Sequence, residues 1–217
     1  MSKSSFSGNP LLDFQGPFRT AMDIILASAS PRRQALLTSL GISFQVIPSS
    51  FREPEPEPGC QPWEYALFLA QQKARHLPRR KPDSLIIAAD TIVVLDSAIM
   101  NKPESEDHAL DMLSRLQGNT HQVITAVSIS SVTENNDNTF FCKTDVEMIE
   151  AGPDVLREYI RTGEPEGKAG AYAIQGLGAF LVKSIKGSYT NVVGLPLAEV
   201  CTALLKLNAL KLPGKQQ

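Results

Sequence analysis

Hydrophobic and polar positions sort this chain into short apolar runs and longer stretches with helical spacing. Ile24, Ile25, Leu26 and Ala27 make an apolar run of strand length that passes through Ser28-Ala29-Ser30-Pro31 into a helical stretch over residues 32–40. Ser30 suits the N-cap of that helix, Pro31 its first turn and Gly41 its end. A second strand is expected over residues 44–47. The Glu-Pro alternation of residues 53–58 then cannot be helical and reads as an extended loop with an acidic lining. Residues 63–77 read as helix, and residues 85–95 are aliphatic β-formers broken only by Asp90 and Thr91, the pattern of a central strand. Ala109, Met112, Leu113 and Leu116 share one face of a helix expected over residues 104–116, which Gly118 closes. Paired strands over 122–131 and 140–149 flank a polar turn at 134–138. A short helix over 155–161 ended by Gly163, a strand over 179–185 and a last helix over 195–207 follow.

Strands alternate with helices early and pair with one another later, so the expected class is α/β, with a mixed sheet and flanking helices. Residues 1–22 mix Ser, Gly, Pro and single apolar residues without a period. They are expected to be a loosely ordered extension to one domain over residues 23–210.

Composition adds mainly exclusions. A chain of 217 residues, 42% hydrophobic and 20% charged, can bury about 70% of its unfolded surface and needs no disulfide or structural metal. With 21 Lys and Arg against 23 Asp and Glu, it has no basic field to grip a nucleic-acid backbone, so any important positive charge is local. Cys60, Cys142 and Cys201 are widely spaced and odd in number, which speaks against a disulfide framework or zinc knuckle and for a reducing compartment. His76, His108 and His121 are as scattered and read as surface or satisfied histidines. No apolar run approaches the ~20 residues of a membrane helix, and no secretory core opens the chain. A cytoplasmic location without membrane or nucleic-acid partners is expected.

Candidate chemistry starts at the first strand-to-helix junction, where Ser28, Ser30 and free backbone N–H groups meet the positive end of a helix dipole beside Arg32 and Arg33. Phosphate fits such a site; a well-capped surface helix with two solvated arginines is the alternative. Asp90 stands inside an aliphatic run, where an unpaired carboxylate is costly, so a partner or a metal is implied unless the strand ends there. Lys73 shares a helix face with Leu69 and Leu77 and so either points inward or snorkels. Lys102, in Asn101-Lys102-Pro103, reads alone as a turn residue. Residues 163–176 are glycine-dense without low complexity, as where backbone approaches a ligand, and Gln175 there could offer a donor and an acceptor to a base edge. A structural turn is the alternative.

Taken in order, these segments resemble the Maf family of nucleoside triphosphate pyrophosphatases, in its dTTP/UTP-preferring branch. The likeness rests on Ser28-Ala29-Ser30-Pro31-Arg32-Arg33, Glu53, Gln72-Lys73-Ala74, Ala89-Asp90-Thr91, Lys102-Pro103, Lys168 to Gly176, and Gly187-Ser188-Tyr189 through Gly194-Leu195-Pro196. Two departures are Gly167, where the family usually has Asp, and the Pro-Glu repeat after Glu53.

The resemblance implies a deep central cleft in a mixed α/β fold related to inosine-triphosphate pyrophosphatases, and a homodimer. It implies hydrolysis of a nucleoside triphosphate, dTTP and UTP preferred and modified pyrimidine nucleotides included, to the monophosphate and pyrophosphate. Asp90 and Glu53 would be catalytic and would hold a divalent cation, Mg²⁺ first, with Mn²⁺ or Co²⁺ as alternatives. Ser28, Ser30, Arg32, Arg33, Lys73 and Lys102 would bind phosphate, while Arg32, Thr91 and Gln175 would set base specificity. The rival is a nucleotide-responsive regulatory module of the same fold, linked to septum formation.

Overall fold

The computed structural model describes residues 16–78, 84–131 and 138–212. Most of the expected N-terminal extension, and the polar turn at 134–138 apart from Asn138, fall outside them.

Pairing begins inside the stretch expected to be loose: β1, Arg19–Thr20, runs antiparallel to β9, Leu210–Lys211, and ties both ends of the domain together. The expected first strand is β2, Ile24–Leu26, and the helix after it is α1, Pro31–Thr38, which ends two residues before its apolar pattern suggests. Ser30 is its N-cap, with Oγ accepting from Arg33 N. Next come β3, Gln45–Val46, and α2, Pro62–Arg75. The Glu-Pro loop between them is extended, and Tyr65 Oη donates to the Pro54 carbonyl at 2.6 Å.

The central strand is β4, Leu85–Leu95, buried along almost its whole length. It turns back at once into β5, Ala98–Met100, through Asp96 and Ser97, both with positive φ. Then follow α3, Glu106–Leu116; β6, Thr120–Ser131; β7, Asn138–Met148; and α4, Pro153–Arg161. Of the strand expected over 179–185, the first part is a 3₁₀ turn, Leu177–Leu181, and only Val182–Lys186, β8, is strand. A short helix α5, Tyr189–Val193, precedes the last helix α6, Leu197–Lys206.

Among the described residues the main sheet has the order β3-β2-β4-β6-β7-β8, with β5 also on β4. β3, β2 and β4 are parallel; the other pairings are antiparallel, so the sheet is mixed. Side chains alternate across β4 as strand geometry requires. Ile92 and Val94 pack on Tyr65, Ala66, Leu69 and Ala70 of α2. On the opposite face, Ile87 and Ala89 join a cluster with Leu37 of α1 and Leu204 of α6, while Val93 and Leu95 join one with Met112 and Leu113 of α3. No described helix is long and apolar enough to cross a membrane.

One irregularity creates the site. β2 pairs with residues 85–87 of β4, and β5 pairs with residues 93–95 on the antiparallel return. On that edge residues 88–92 have no strand partner among the described residues, and both of their faces border the gap. Asp90 and Thr91 sit in it.

Candidate active site

The gap opens into a cleft of about 740 Å³. Ser28, Ser30, Arg32, Arg33, Glu53, Lys73, Asp90, Thr91, Lys102 and Gln175 all line it, so every residue singled out from the sequence meets in one place.

On the α2 face, Lys73 settles its conflict between inward direction and charge by ion pairing. Its Nζ lies 2.5 Å from Asp90 Oδ1 and 2.7 Å from Glu53 Oε1. Asp90 is only 6% exposed, and in this surrounding a carboxylate is held by a facing cation. Lys102, in the loop after β5, reaches the other side of Glu53 at 3.2 Å. Burial pushes the Glu53 carboxyl up, but Lys73 and Lys102 together outweigh that and hold it below the usual carboxylate value.

The other face belongs to Arg33. Its Nε donates to the Gly194 carbonyl at 2.8 Å, one terminal nitrogen to Thr91 Oγ1 at 3.0 Å, and the other to Ser28 Oγ at 3.5 Å. The guanidinium plane is thus fixed, with one N–H left on each terminal nitrogen. Burial lowers the Arg33 pKa while the Asp90 charge opposes it, and arginine stays protonated regardless. Ser28 Oγ also accepts from Ser30 N, and Ser30 Oγ accepts from Arg33 N. Both serines therefore receive from the chain through lone pairs and keep their O–H for an acceptor such as a phosphate oxygen. The junction thus lines the cleft with hydroxyl and guanidinium donors still unspent, which suits an anion.

The glycine-dense segment closes a third side. Glu164 accepts from the backbone N–H groups of Leu177 (2.8 Å) and Gly178 (2.7 Å) and from Tyr159 Oη (2.8 Å), and Ala173 N donates to Tyr159 Oη at 3.2 Å. Residues 174–176 are pinned on both sides, presenting exposed Gln175 at the rim. Gly170 has φ +69°, and a Cβ there would stand 2.9 Å from the Val93 side chain. Gly167, where the family usually has Asp, also has positive φ (+69°) with open space around it, so glycine suits the turn.

Residues 23–207 match the family described as "Maf-like protein". The chain belongs to the Maf family. A dTTP/UTP pyrophosphatase of Nitratidesulfovibrio vulgaris is 48% identical over 195 residues, covering 90% of this chain and 92% of that one. Those of Oleidesulfovibrio alaskensis and Ruminiclostridium cellulolyticum are each 42% identical, covering 94% and 86% of this chain and 94% and 96% of theirs.

Several residues that support this Maf cleft were not singled out from the sequence. Thr125, Asn191 and the Gly194 carbonyl hold Thr91 and Arg33, and Glu164 with Tyr159 holds the Gln175 segment. Lys168 lines the cleft too, its Nζ donating to the Glu164 carbonyl at 2.5 Å. The run from Gly187 to Pro196 was the one available pointer to Asn191 and Gly194. His121, expected at the surface or satisfied, is buried and half satisfied: it is 1% exposed, Nε2 meets Tyr172 Oη at 2.8 Å, and Nδ1 has no partner among the described residues. Burial holds its pKa down to about 4, so it is neutral at neutral pH.

Proposed function

We propose that this Maf-family protein hydrolyses dTTP and UTP to the nucleoside monophosphate and pyrophosphate. The observation that carries the reading is the juxtaposition, in one cleft, of two lysine-bridged carboxylates with an arginine and two serines whose donors remain available. A module that only sensed nucleotide would need the donors but not a buried Asp90. The names of its relatives support the choice of pyrimidine triphosphates.

Ser28, Ser30, Arg32, Arg33, Lys73 and Lys102 bind the phosphates and oppose the negative charge that grows as the α–β anhydride breaks. Asp90 takes the proton of the attacking water, and Lys73 orients it and Glu53 together. No covalent intermediate is needed. Among the described residues no three His, Cys, Asp or Glu side chains group to hold a metal unaided. Two hard carboxylates nonetheless fit an ion such as Mg²⁺, which keeps most of its waters and takes substrate phosphates as ligands. Glu53 and Asp90 would hold it, and its chemistry there would be charge neutralisation on the phosphates.

Thr91 and Gln175 read the O4 and N3–H edge of thymine or uracil, with Arg32 beside them. Arg32 and the glycine-dense segment line the same cleft, and burial lowers the Arg32 pKa while Glu164 and Tyr159 oppose it. A cytoplasmic homodimer completes the proposal; the odd number and wide spacing of Cys60, Cys142 and Cys201 suit a reducing compartment.

Pyrophosphate release is to be measured with dTTP, UTP, CTP and GTP for the wild type and for Gln175→Ala and Thr91→Ala. The expected result is preference for dTTP and UTP that either substitution weakens. Preference for CTP or GTP, or binding without release, would overturn the reading.

A further inference from the structure

We propose that Thr125, which lines no part of the cleft, is a specificity-determining positioning residue: it selects dTTP and UTP over CTP by fixing the direction in which the Thr91 hydroxyl points its proton. The proposal rests on the reading of Thr91 as a base contact.

Thr91 and Thr125 face each other in register on β4 and β6, with their hydroxyl oxygens 2.9 Å apart. Either could donate in isolation. Thr125, however, is completely buried, and its Oγ1 lies 2.8 Å from the backbone carbonyl of Asn191, a group that can only accept. A hydroxyl has one hydrogen, and Thr125 spends it on Asn191. Towards Thr91 it can then only accept, so Thr91 must donate to it. Arg33 in turn can only donate, and it occupies one lone pair of Thr91 at 3.0 Å. The chain of donors runs one way, from Arg33 through Thr91 and Thr125 to the Asn191 carbonyl. What remains to Thr91 is a single lone pair, so it can accept from a ligand but cannot give.

Asn191 is held firmly enough to set this polarity. Its side chain is buried, and Nδ2 donates to the Val123 carbonyl at 3.0 Å and to Thr144 Oγ1 at 2.9 Å. α5, which carries it, is capped by Ser188 Oγ accepting from Asn191 N.

An acceptor-only Thr91 distinguishes the pyrimidines at N3. Thymine and uracil carry N3–H there, a donor that Thr91 can receive. Cytosine carries a bare N3 lone pair, which would face the lone pair of Thr91 with no proton between them. Gln175 can turn its carboxamide to suit O4 or N4–H₂, because the amide offers both a donor and an acceptor. Thr91 cannot adapt while Thr125 takes its proton, so the discrimination resides in this pair of hydroxyls.

The test compares kcat/KM for UTP and CTP in the wild type, Thr125→Val, Thr125→Ser and Thr91→Val, with thermal melting to show that each is folded. Thr125→Val keeps the shape and removes the acceptor, freeing the Thr91 proton to meet cytosine N3. The UTP-to-CTP ratio is expected to fall by about tenfold or more, mainly through a lower KM for CTP. Thr125→Ser keeps the hydroxyl and is expected to retain the wild-type ratio, which a mere packing role would not predict. Should Thr125→Val fold poorly, Thr125→Ala removes the same hydroxyl and is expected to give the same fall. If Thr91→Val changes the ratio while Thr125→Val and Thr125→Ala leave it intact, the polarity proposal is overturned and Thr91 stays a base contact. If Thr91→Val leaves the ratio unchanged, the base reading of Thr91 falls, and the proposal with it.

Discussion

Lys73 and Asp90 meet at 2.5 Å where α2 crosses the open edge of β4. Each is out of place alone, a cation on an apolar helix stripe and a carboxylate in an aliphatic strand. Together they are one solution, because the charge of one lowers the cost of burying the other.

Asp90→Asn keeps the size of the side chain and a hydrogen-bond acceptor for Lys73, but removes the proton acceptor. Turnover of dTTP is expected to fall by about 10² to 10⁴, with the melting transition still cooperative. Pyrophosphate release and thermal melting check this on the same preparation. Activity within a few-fold of wild type would remove Asp90 from the mechanism.

For Glu53 the effect is one of pH. Against the upward push of burial, Lys73 and Lys102 hold its folded pKa below the ordinary value. The stability contributed by its ion pairs is therefore complete above the unfolded-chain value and lost as pH falls through the lower folded one. Lys102→Ala removes one of the two cations, so the carboxyl rises and the acid limb of the kcat/KM profile moves to higher pH. A limb that stays in place, or moves to lower pH, would show that Glu53 protonation does not govern it.

Glu164→Gln tests the support of the Gln175 segment. A carboxamide oxygen cannot replace both carboxylate oxygens, so Leu177 N–H or Gly178 N–H loses its acceptor at a cost of about 1–3 kcal/mol. For a chain of this size each kcal/mol lowers Tm by about 2–4 °C. Faster amide exchange is expected at Leu177 and Gly178, with a higher KM for UTP. Unchanged exchange at both amides would mean that the segment holds itself.

The order of most strands and helices, and Ser30, Lys73 and Asp90 of the cleft, were legible in the sequence because each leaves a local mark: a period, a cap, a charge among aliphatics; Glu53, Thr91 and Lys102 came only with the family resemblance. What escaped depends on pairing across distance. Thr125 is an ordinary β-former until β6 lies beside β4 with Thr91 opposite, and Asn191 sits on a helix of five residues, too short to show a period. β5 was hidden because its two-residue turn uses Asp96 and Ser97 at positive φ, where Asn-Gly would have announced a hairpin. The misplaced start of β8 has the same kind of cause. Leu177 to Leu181 has the apolar content of a strand, but Glu164, from far earlier in the chain, takes the amides of Leu177 and Gly178 and turns the backbone into a 3₁₀ helix.

Asp90 and Thr91 are neighbours in β4, a strand paired with β6 through ten successive residues. On the proposed reading, the atom that receives the proton of water and the atom that reads the base hang from a rigid rod only one peptide bond apart. An insertion or deletion in that stretch would exchange the faces on which the two act and disable both at once. Anyone wishing to retune this protein toward another nucleobase has to leave the rod alone and change what leans on Thr91 from the side. Such changes lie on the sheet face opposite Lys73, where Thr125 can be altered without touching the ion pairs of Asp90, provided that Arg33, which shares that face, is kept.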